Sequence, residues 1–231
     1  MVKDGIHSSL YAVYATKGYD DLLKCAWDII VTCEANASKQ VYRQMKGETA
    51  EVVLEFGLRE LQEKIKPSVV VKGLCIPLRT GHGSTTEMDL IFVTKRRIYL
   101  FESKAYQGSP KVTGECMIGD SMDVAGQNRY HLKALNEYIG GCKKKSSNPP
   151  YKLMLFEMST KGLIDERDEA DKKRIPIVSQ DNFMNWLIND YNSLTEDVWD
   201  VRKVVEILQP LADNSDEIFK IHLNRMIHKK G

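Results

Sequence analysis

Two carboxylates and an amine, Asp89, Glu102 and Lys104, have the residue types and spacing of a hydrolytic site. Two apolar runs around the polar turn 94–97 lie between the two acids, which predicts a β-hairpin. A symmetric turn places Asp89 opposite Glu102, and side-chain alternation places Lys104 on the face of Glu102, about 7 Å further along. Opposed like charges destabilise a sheet unless a cation lies between them. The pattern therefore predicts a cation-binding pair of acids beside an amine.

The chemistry expected of such a site is phosphodiester hydrolysis. Carboxylate oxygens are hard ligands, which suit Mg²⁺ or Mn²⁺ rather than zinc. A bound metal of this kind acidifies a water molecule and clamps a phosphate oxygen, while Lys104 positions the nucleophile.

A helix predicted from Gly47 to the stop at Pro67 supplies a third acid. Its apolar stripe consists of Leu54, Leu58, Leu61 and Ile65. With Glu48 set at zero on the helical wheel, the stripe is centred near 250°, Glu51 lies at about 300° and Glu55 at about 340°. Glu51 therefore borders the buried face and is the glutamate best placed to approach the metal.

A later predicted helix carries Gln127 and His131 on one face, with Lys133 nearby. The amide and the imidazole could contact a phosphate or a water molecule, although a structural partnership of His131 with a carboxylate or carbonyl fits as well. Further candidate phosphate-binding residues are the turn residues Lys95, Arg96 and Arg97. A solvated turn, however, explains these three without any function.

The elements that must position these residues form an α/β pattern. Residues 1–45 read as a helical extension, residues 46–180 as the core, and residues 181–231 as C-terminal helices packed on it. Short β-branched or aromatic runs in the core predict strands on both sides of a helix near 127–138. The C-terminal helices are expected near residues 183–191, 195–208 and 216–228.

Composition excludes several classes of protein. The 231 residues are 42% apolar and 28% charged with a formal net charge of +1, which excludes disorder, collagen and a global basic field. No apolar run reaches the length of a membrane span, and the N-terminus lacks a signal-peptide core. Five scattered cysteines without a C-x-x-C pair argue against disulfides and structural zinc. We therefore expect a cytoplasmic protein.

The candidate residues also resemble a known family. The matching motifs are Gly47-x-x-Ala50-Glu51, Glu87-Met88-Asp89, Glu102-Ser103-Lys104, Tyr106-Gln107-Gly108 and Gln127-x-x-x-His131. Together they resemble the nuclease-related domain (NERD), a branch of the PD-(D/E)XK nuclease superfamily, from about residue 47 to 179. The resemblance implies a restriction-endonuclease-like core, in which a mixed β-sheet is flanked by helices, and Mg²⁺-dependent cleavage of DNA.

The resemblance also assigns roles. Glu51 matches the first-helix acid, Asp89 the metal-binding aspartate, Glu102 and Lys104 the E-x-K pair, and Gln127 the helix glutamine. The chain departs from the family pattern at Ala50, Met88 and Ser103, where the family prefers glycine, isoleucine and an apolar residue. These departures leave the expected metal ligands Asp89, Glu102 and Glu51 intact.

The main hypothesis is thus a metal-dependent deoxyribonuclease. The alternative is a nuclease-fold module with weak or no catalysis that binds nucleic acid or a protein partner, and a third reading is a structural scaffold. DNA is the expected partner, RNA stays open, and no membrane association is expected. A homodimer is one use for the terminal helices, since a twofold axis would let two sites cut two strands.

Overall fold

The computed structural model describes residues 2–36, 38–78, 85–106, 108–119, 122–159 and 161–215. The helices in these ranges are α1 (Val2–Lys17), α2 (Tyr19–Asn36), α3 (Lys39–Lys64), α4 (Val124–Ile139), α5 (Glu169–Arg174), α6 (Phe183–Ser193) and α7 (Val201–Asp213). The strands are β1 (Ser68–Pro77), β2 (Thr85–Thr94), β3 (Ile98–Tyr106), β4 (Lys111–Thr113), β5 (Met117–Ile118), β6 (Met122–Asp123), β7 (Tyr151–Ser159), β8 (Ile164–Asp165) and β9 (Ile177–Ser179).

A mixed five-stranded sheet forms the centre of the fold. Its strand order is β1-β2-β3-β7-β9, in which β1, β2 and β3 are antiparallel and β3, β7 and β9 are parallel. The carboxyl ends of β3, β7 and β9 therefore meet at one edge of the sheet. The amino end of β2 lies at the same edge, because β2 runs antiparallel to β3.

Helices cover both faces of this sheet. Leu90 and Phe92 of β2 pack into an apolar cluster with α1, α2, α3 and α6. Ile91 and Val93 of the same strand pack into a second cluster with α4 and α7. This alternation follows from the two-residue period of a strand that is buried on both faces. The predicted mixed sheet flanked by helices is confirmed.

Helix α3 is longer than its apolar stripe predicted. It begins at Lys39, where the side chain of Ser38 accepts a hydrogen bond from the backbone N–H of Val41. It ends at Lys64, close to the expected stop at Pro67. The predicted boundary between residues 45 and 46 thus falls inside one helix, and the division into three regions stays a prediction.

Three other elements differ from expectation or lie outside the described residues. A small sheet of order β6-β5-β4-β8 was not predicted, since its strands are too short to show a period. Helix α7 begins at Val201 rather than near residue 195, because the backbone N–H groups of Val198 and Trp199 donate to the carbonyl of Lys95 and Asp200 caps the helix. The predicted helix 216–228 and residues 79–84 lie outside the described residues.

Among the described residues, no helix combines the length and the apolar character that crossing a membrane requires.

Candidate active site

The hairpin of β2 and β3 brings the first candidate residues together. The predicted register is confirmed, since Val93 lies opposite Ile98. The ladder ends one position short of Asp89 and Glu102. There the backbone N–H of Ser103 donates to the carboxylate of Asp89, with an N···Oδ2 distance of 2.7 Å. This bond holds the Asp89 carboxylate against the strand that carries Glu102.

A glycine on the neighbouring strand faces Asp89. Gly73 of β1 has a φ of +58° and lies between two ladder pairs that flank the Asp89 position. Val71 before it and Leu74 after it both pack into the cluster with α4 and α7, so the strand changes its side-chain phase at this point. The left-handed backbone favours glycine here, because other residues adopt it at a cost in energy.

Glu102 is held from two sides and is only 1% exposed. The Lys104 ammonium donates to its Oε1 atom. On the other side, Nε2 of His131 lies 3.5 Å from Oε2, too far for a strong hydrogen bond. The other ring nitrogen of His131 lies 2.6 Å from the hydroxyl of Thr86. Strand β2 and helix α4 thus hold the imidazole beside Glu102.

The ionisable side chains of the site shift one another's pKa values. Enclosure by protein, followed by the negative charges of Glu102 and Glu51, raises the pKa of Asp89 to about 8. Burial opposes ionisation of Glu102, but His131 and Lys104 outweigh it and lower the pKa of that carboxyl. Burial likewise opposes the charged form of Lys104, yet Glu102, Asp89 and Glu51 raise the pKa of the amine. Asp89 is thus raised in pKa by two neighbouring acids, and Lys104 opposes that effect.

Asp89, Lys104 and Glu51 border a cleft of about 640 Å³ between α3 and the sheet, whereas the buried Glu102 is not among its lining residues. It is lined by Tyr42, Arg43, Lys46, Gly47, Glu51, Asp89, Ser103, Lys104, Ala105, Tyr106 and Met122. Sequence reasoning missed Arg43 and Lys46, which bring positive charge to the cleft. A signal was present, because Arg43, Gly47 and Glu51 recur every four residues and so lie along one side of a helix.

Helix α4 presents its predicted site residues in different ways. His131 is buried against Glu102, whereas Gln127 and Lys133 are exposed. The neighbouring Asn128 is completely buried, and neither atom of its amide has a hydrogen-bond partner among the described residues. It lies three positions before His131 and thus on a neighbouring part of the helix surface.

The turn residues lie at the far end of the hairpin from the acids. Lys95 pairs with Asp197, and Arg96 donates to the carbonyl of Tyr191 and lies over its ring. Arg97 is buried and donates from one nitrogen to both carboxylate oxygens of Asp190. The structure does not bring these three side chains into the cleft, and their role in substrate binding stays a prediction.

The comparison with known families agrees with the motifs. The family model for the nuclease-related domain matches residues 34–156, slightly more than half of the chain. This chain belongs to the nuclease-related domain family. The predicted family is therefore confirmed. The matched segment contains the candidate site residues Glu51, Asp89, Glu102 and Lys104. No curated protein matches the chain.

Several solved structures are similar to this NERD protein at low identity. Protein VC1899 from Vibrio cholerae is 13% identical with a TM-score of 0.42, over 84% of this chain and 50% of that one. Can2 from Sulfobacillus thermosulfidooxidans, solved with cyclic tetra-adenylate, is 15% identical with a TM-score of 0.36, over 80% and 48%. The small subunit of a heterodimeric restriction endonuclease is 14% identical with a TM-score of 0.32, over 87% and 98%. This chain thus spans about half the length of the first two proteins.

The oxygen donors at the cleft between α3 and the sheet fit a hard divalent cation. Oε2 of Glu102 is buried without a hydrogen-bond partner among the described residues, and the charges of Glu102 and Glu51 oppose ionisation of Asp89. Carboxylate oxygens are the ligands that Mg²⁺ and Mn²⁺ prefer. Among the described residues, no group of three or more His, Cys, Asp or Glu side chains is already gathered at metal-binding distances. The fold therefore brings the candidate donors close to one cleft, but it does not place three of them at metal-binding distances from one point.

Proposed function

We propose that this protein is a metal-dependent nuclease that hydrolyses DNA phosphodiester bonds in the cleft between α3 and the ends of β2 and β3. The observation that supports this most strongly is the convergence of Glu51, Asp89, Glu102 and Lys104, in which the neighbouring acids oppose ionisation of Asp89. A cation bound between the carboxylates would relieve this repulsion. Membership of the nuclease-related domain family supports the same assignment.

Each residue of the site has a role in this proposal. Asp89 and Glu102, with Glu51, hold Mg²⁺ or Mn²⁺, which would supply an acidified water and charge neutralisation at the phosphate. The raised pKa of Lys104 keeps its ammonium charged at neutral pH, so that it can donate a hydrogen bond to the attacking water or to the phosphate. Gln127 contacts the water or the phosphate from the start of α4.

Phosphate binding is assigned first to cations that line the cleft. Arg43 and Lys46 lie on α3 and line the same cleft as Glu51, where they can contact the DNA backbone. His131 positions Glu102 from the side opposite Lys104. Lys133 and the hairpin turn would extend the contact surface beyond the cleft.

Cleavage assays test the proposal. Supercoiled plasmid and short oligonucleotides are incubated with wild type, Asp89→Ala and Lys104→Ala in Mg²⁺, Mn²⁺ or EDTA, with Lys172→Ala on α5 as a control. We expect cleavage only with metal, and a loss of at least about a hundredfold in both site variants. Calorimetry should show that Lys104→Ala still binds Mn²⁺. Cleavage in EDTA, or full activity in both site variants, would contradict the assignment.

A module with weak or no catalysis is the second candidate. The Lys104 ammonium bound to Glu102 and the lack of a preassembled ligand group among the described residues favour it. In the same assays it predicts tight binding of DNA, measured by fluorescence anisotropy, without cleavage in any metal.

A further inference from the structure

A second cleft lies at the same edge of the sheet as the proposed active site. Lys104, Glu157 and Ser179 are successive Cα partners across the parallel strands β3, β7 and β9. Since neighbouring strands are about 5 Å apart, this row leads directly from the active-site lysine to the second cleft. The second cleft has a volume of about 480 Å³, and Trp27, Glu157, Ser179 and Asp181 contribute to its lining.

Hydrogen bonds inside the second cleft engage two of its donors and leave several acceptors. The Ser159 hydroxyl donates to Oε2 of Glu157 at 2.8 Å, and Nε2 of Gln180 donates to Oδ2 of Asp181 at 3.1 Å. Gln180 is only 8% exposed, and its Oε1 atom is buried without a partner among the described residues. An amide oxygen and two carboxylates are therefore available to a ligand that carries N–H groups.

Charge in the second cleft excludes a phosphate. No Lys, Arg or His side chain is among its lining residues in the part of the chain that the structure describes. Burial, helped by the negative charge of Asp181 and opposed by the Ser159 hydroxyl, raises the pKa of Glu157 above its usual value. A ligand that approaches Glu157 must therefore be neutral or positive and must donate hydrogen bonds.

Trp27 of α2 adds a flat apolar surface to this set of acceptors. Proteins that bind unpaired nucleotides stack the base on an aromatic side chain and bind its Watson–Crick edge through polar groups. Guanine presents two adjacent donors on that edge, the ring N–H and the exocyclic amine, which match a carboxylate. Thymine presents one N–H between two carbonyl oxygens, which the carboxylates repel.

We propose that the second cleft binds an unpaired base with an exocyclic amine, guanine best, on the strand whose phosphate lies at Lys104. This inference rests on the proposed function, because it assumes nucleic acid at the neighbouring cleft. It makes Glu157, Gln180 and Asp181 determinants of base preference. Unpaired bases arise in single strands and where an enzyme flips a base out of a duplex.

Binding measured in EDTA tests the inference without cleavage. Fluorescein-labelled thymine oligonucleotides that carry a single central dG, dC or dA are titrated with the full chain and followed by anisotropy. We expect dG to bind roughly tenfold more tightly than the all-thymine strand, with dC and dA in between. Glu157→Gln and the exposed Asp181→Asn should each remove most of this preference while binding of the all-thymine strand stays unchanged. The exposed Glu169→Gln on α5 is the matched control and should keep the preference.

The outcomes separate this inference from the proposed function. A base preference that is lost in Glu157→Gln and Asp181→Asn supports the second cleft even if no condition gives cleavage. Metal-dependent cleavage by a wild type that binds all four oligonucleotides equally overturns the second cleft and leaves the nuclease intact. If Glu157→Gln does not fold, the surface variant Asp181→Asn decides alone. The inference is wrong if the four oligonucleotides bind with equal affinity. Quenching of the tryptophan fluorescence by Mn²⁺ added without DNA would then indicate a cation in the second cleft instead.

Discussion

Glu55 and Asp89 are enclosed carboxylates with opposite surroundings. Glu55 is 3% exposed and is bound by Arg59 at 2.8 Å and Lys72 at 2.7 Å, with His7 at 3.3 Å. Burial acts to raise the pKa of Glu55, but Lys72 and Arg59 outweigh it, and the pKa is lowered. Asp89 faces other acids and one amine, and its pKa is raised.

The difference separates an acid that the fold neutralises from an acid to which we assign a role in the proposed chemistry. Partners within the chain satisfy Glu55, so it stabilises the contact among α1, α3 and β1. Glu102 and Glu51 instead oppose ionisation of Asp89, and in the proposed function a metal ion from solution offsets this repulsion. The hairpin shows the same contrast, since Arg97 and Asp190 neutralise each other at its turn end.

Removing the charge of Glu55 should give the largest change in stability. We expect Glu55→Gln to lower the free energy of unfolding by about 2 kcal/mol, because Arg59 and Lys72 lose their buried charged acceptor and His7 loses a hydrogen-bond partner. Urea unfolding at pH 7 in EDTA measures it, with the exposed Glu63→Gln on the same helix as a control that should change by less than about 0.5 kcal/mol.

Asp89→Asn is compared with Glu55→Gln in the same urea-unfolding experiment. It replaces a carboxyl whose ionisation the folded protein disfavours, so it should not lower the free energy of unfolding, although it should abolish cleavage. Equal stability losses in Glu55→Gln and Asp89→Asn would mean that the two acids play the same structural role.

The pH dependence of stability gives a smaller effect of known sign. Because the pKa of Glu55 is lowered on folding, its contribution is fully present above the unfolded value near 4.5 and is lost as the pH falls through the folded pKa. His7, Arg59 and Lys72 face this carboxylate from three elements. The difference between wild type and Glu55→Gln in urea unfolding should therefore shrink from pH 7 towards pH 3. A constant difference would show that the ionised state of Glu55 does not matter.

Variants at the cleft and at the hairpin turn should differ in DNA affinity by a few-fold. We expect Arg43→Ala, at the cleft, to weaken binding and to reduce the slope of log affinity against log salt by about 0.9, the value for one lost phosphate contact. Arg96→Ala, at the turn, should leave both quantities nearly unchanged, since Arg96 is committed to Tyr191. Anisotropy in EDTA at several salt concentrations measures both. The reverse order would support the substrate-binding role predicted for the turn.

Local signals predicted much of the fold and part of the site. The four-residue turn determines the register in which Val93 lies opposite Ile98, and the stripe on α3 correctly predicted that Glu51 lies beside buried residues. The wheel placed Glu55 further from the stripe than Glu51, yet Glu55 is the more buried of the two. His7 of α1 and Lys72 of β1, far apart in the sequence, cover it, and no local period contains that information.

The amino-acid sequence by itself determined the family and the hairpin register and supplied the candidate oxygen donors, because these depend on residue types and on spacings within single elements. Only the tertiary structure decided which charges are neutralised. Arg97 is paired because Asp190, 93 positions later, folds against it, and Arg43 reaches the cleft because α3 extends in front of Gly47. The charge at a site depends on side chains from elements that are distant in the sequence, and only tertiary packing brings those elements together.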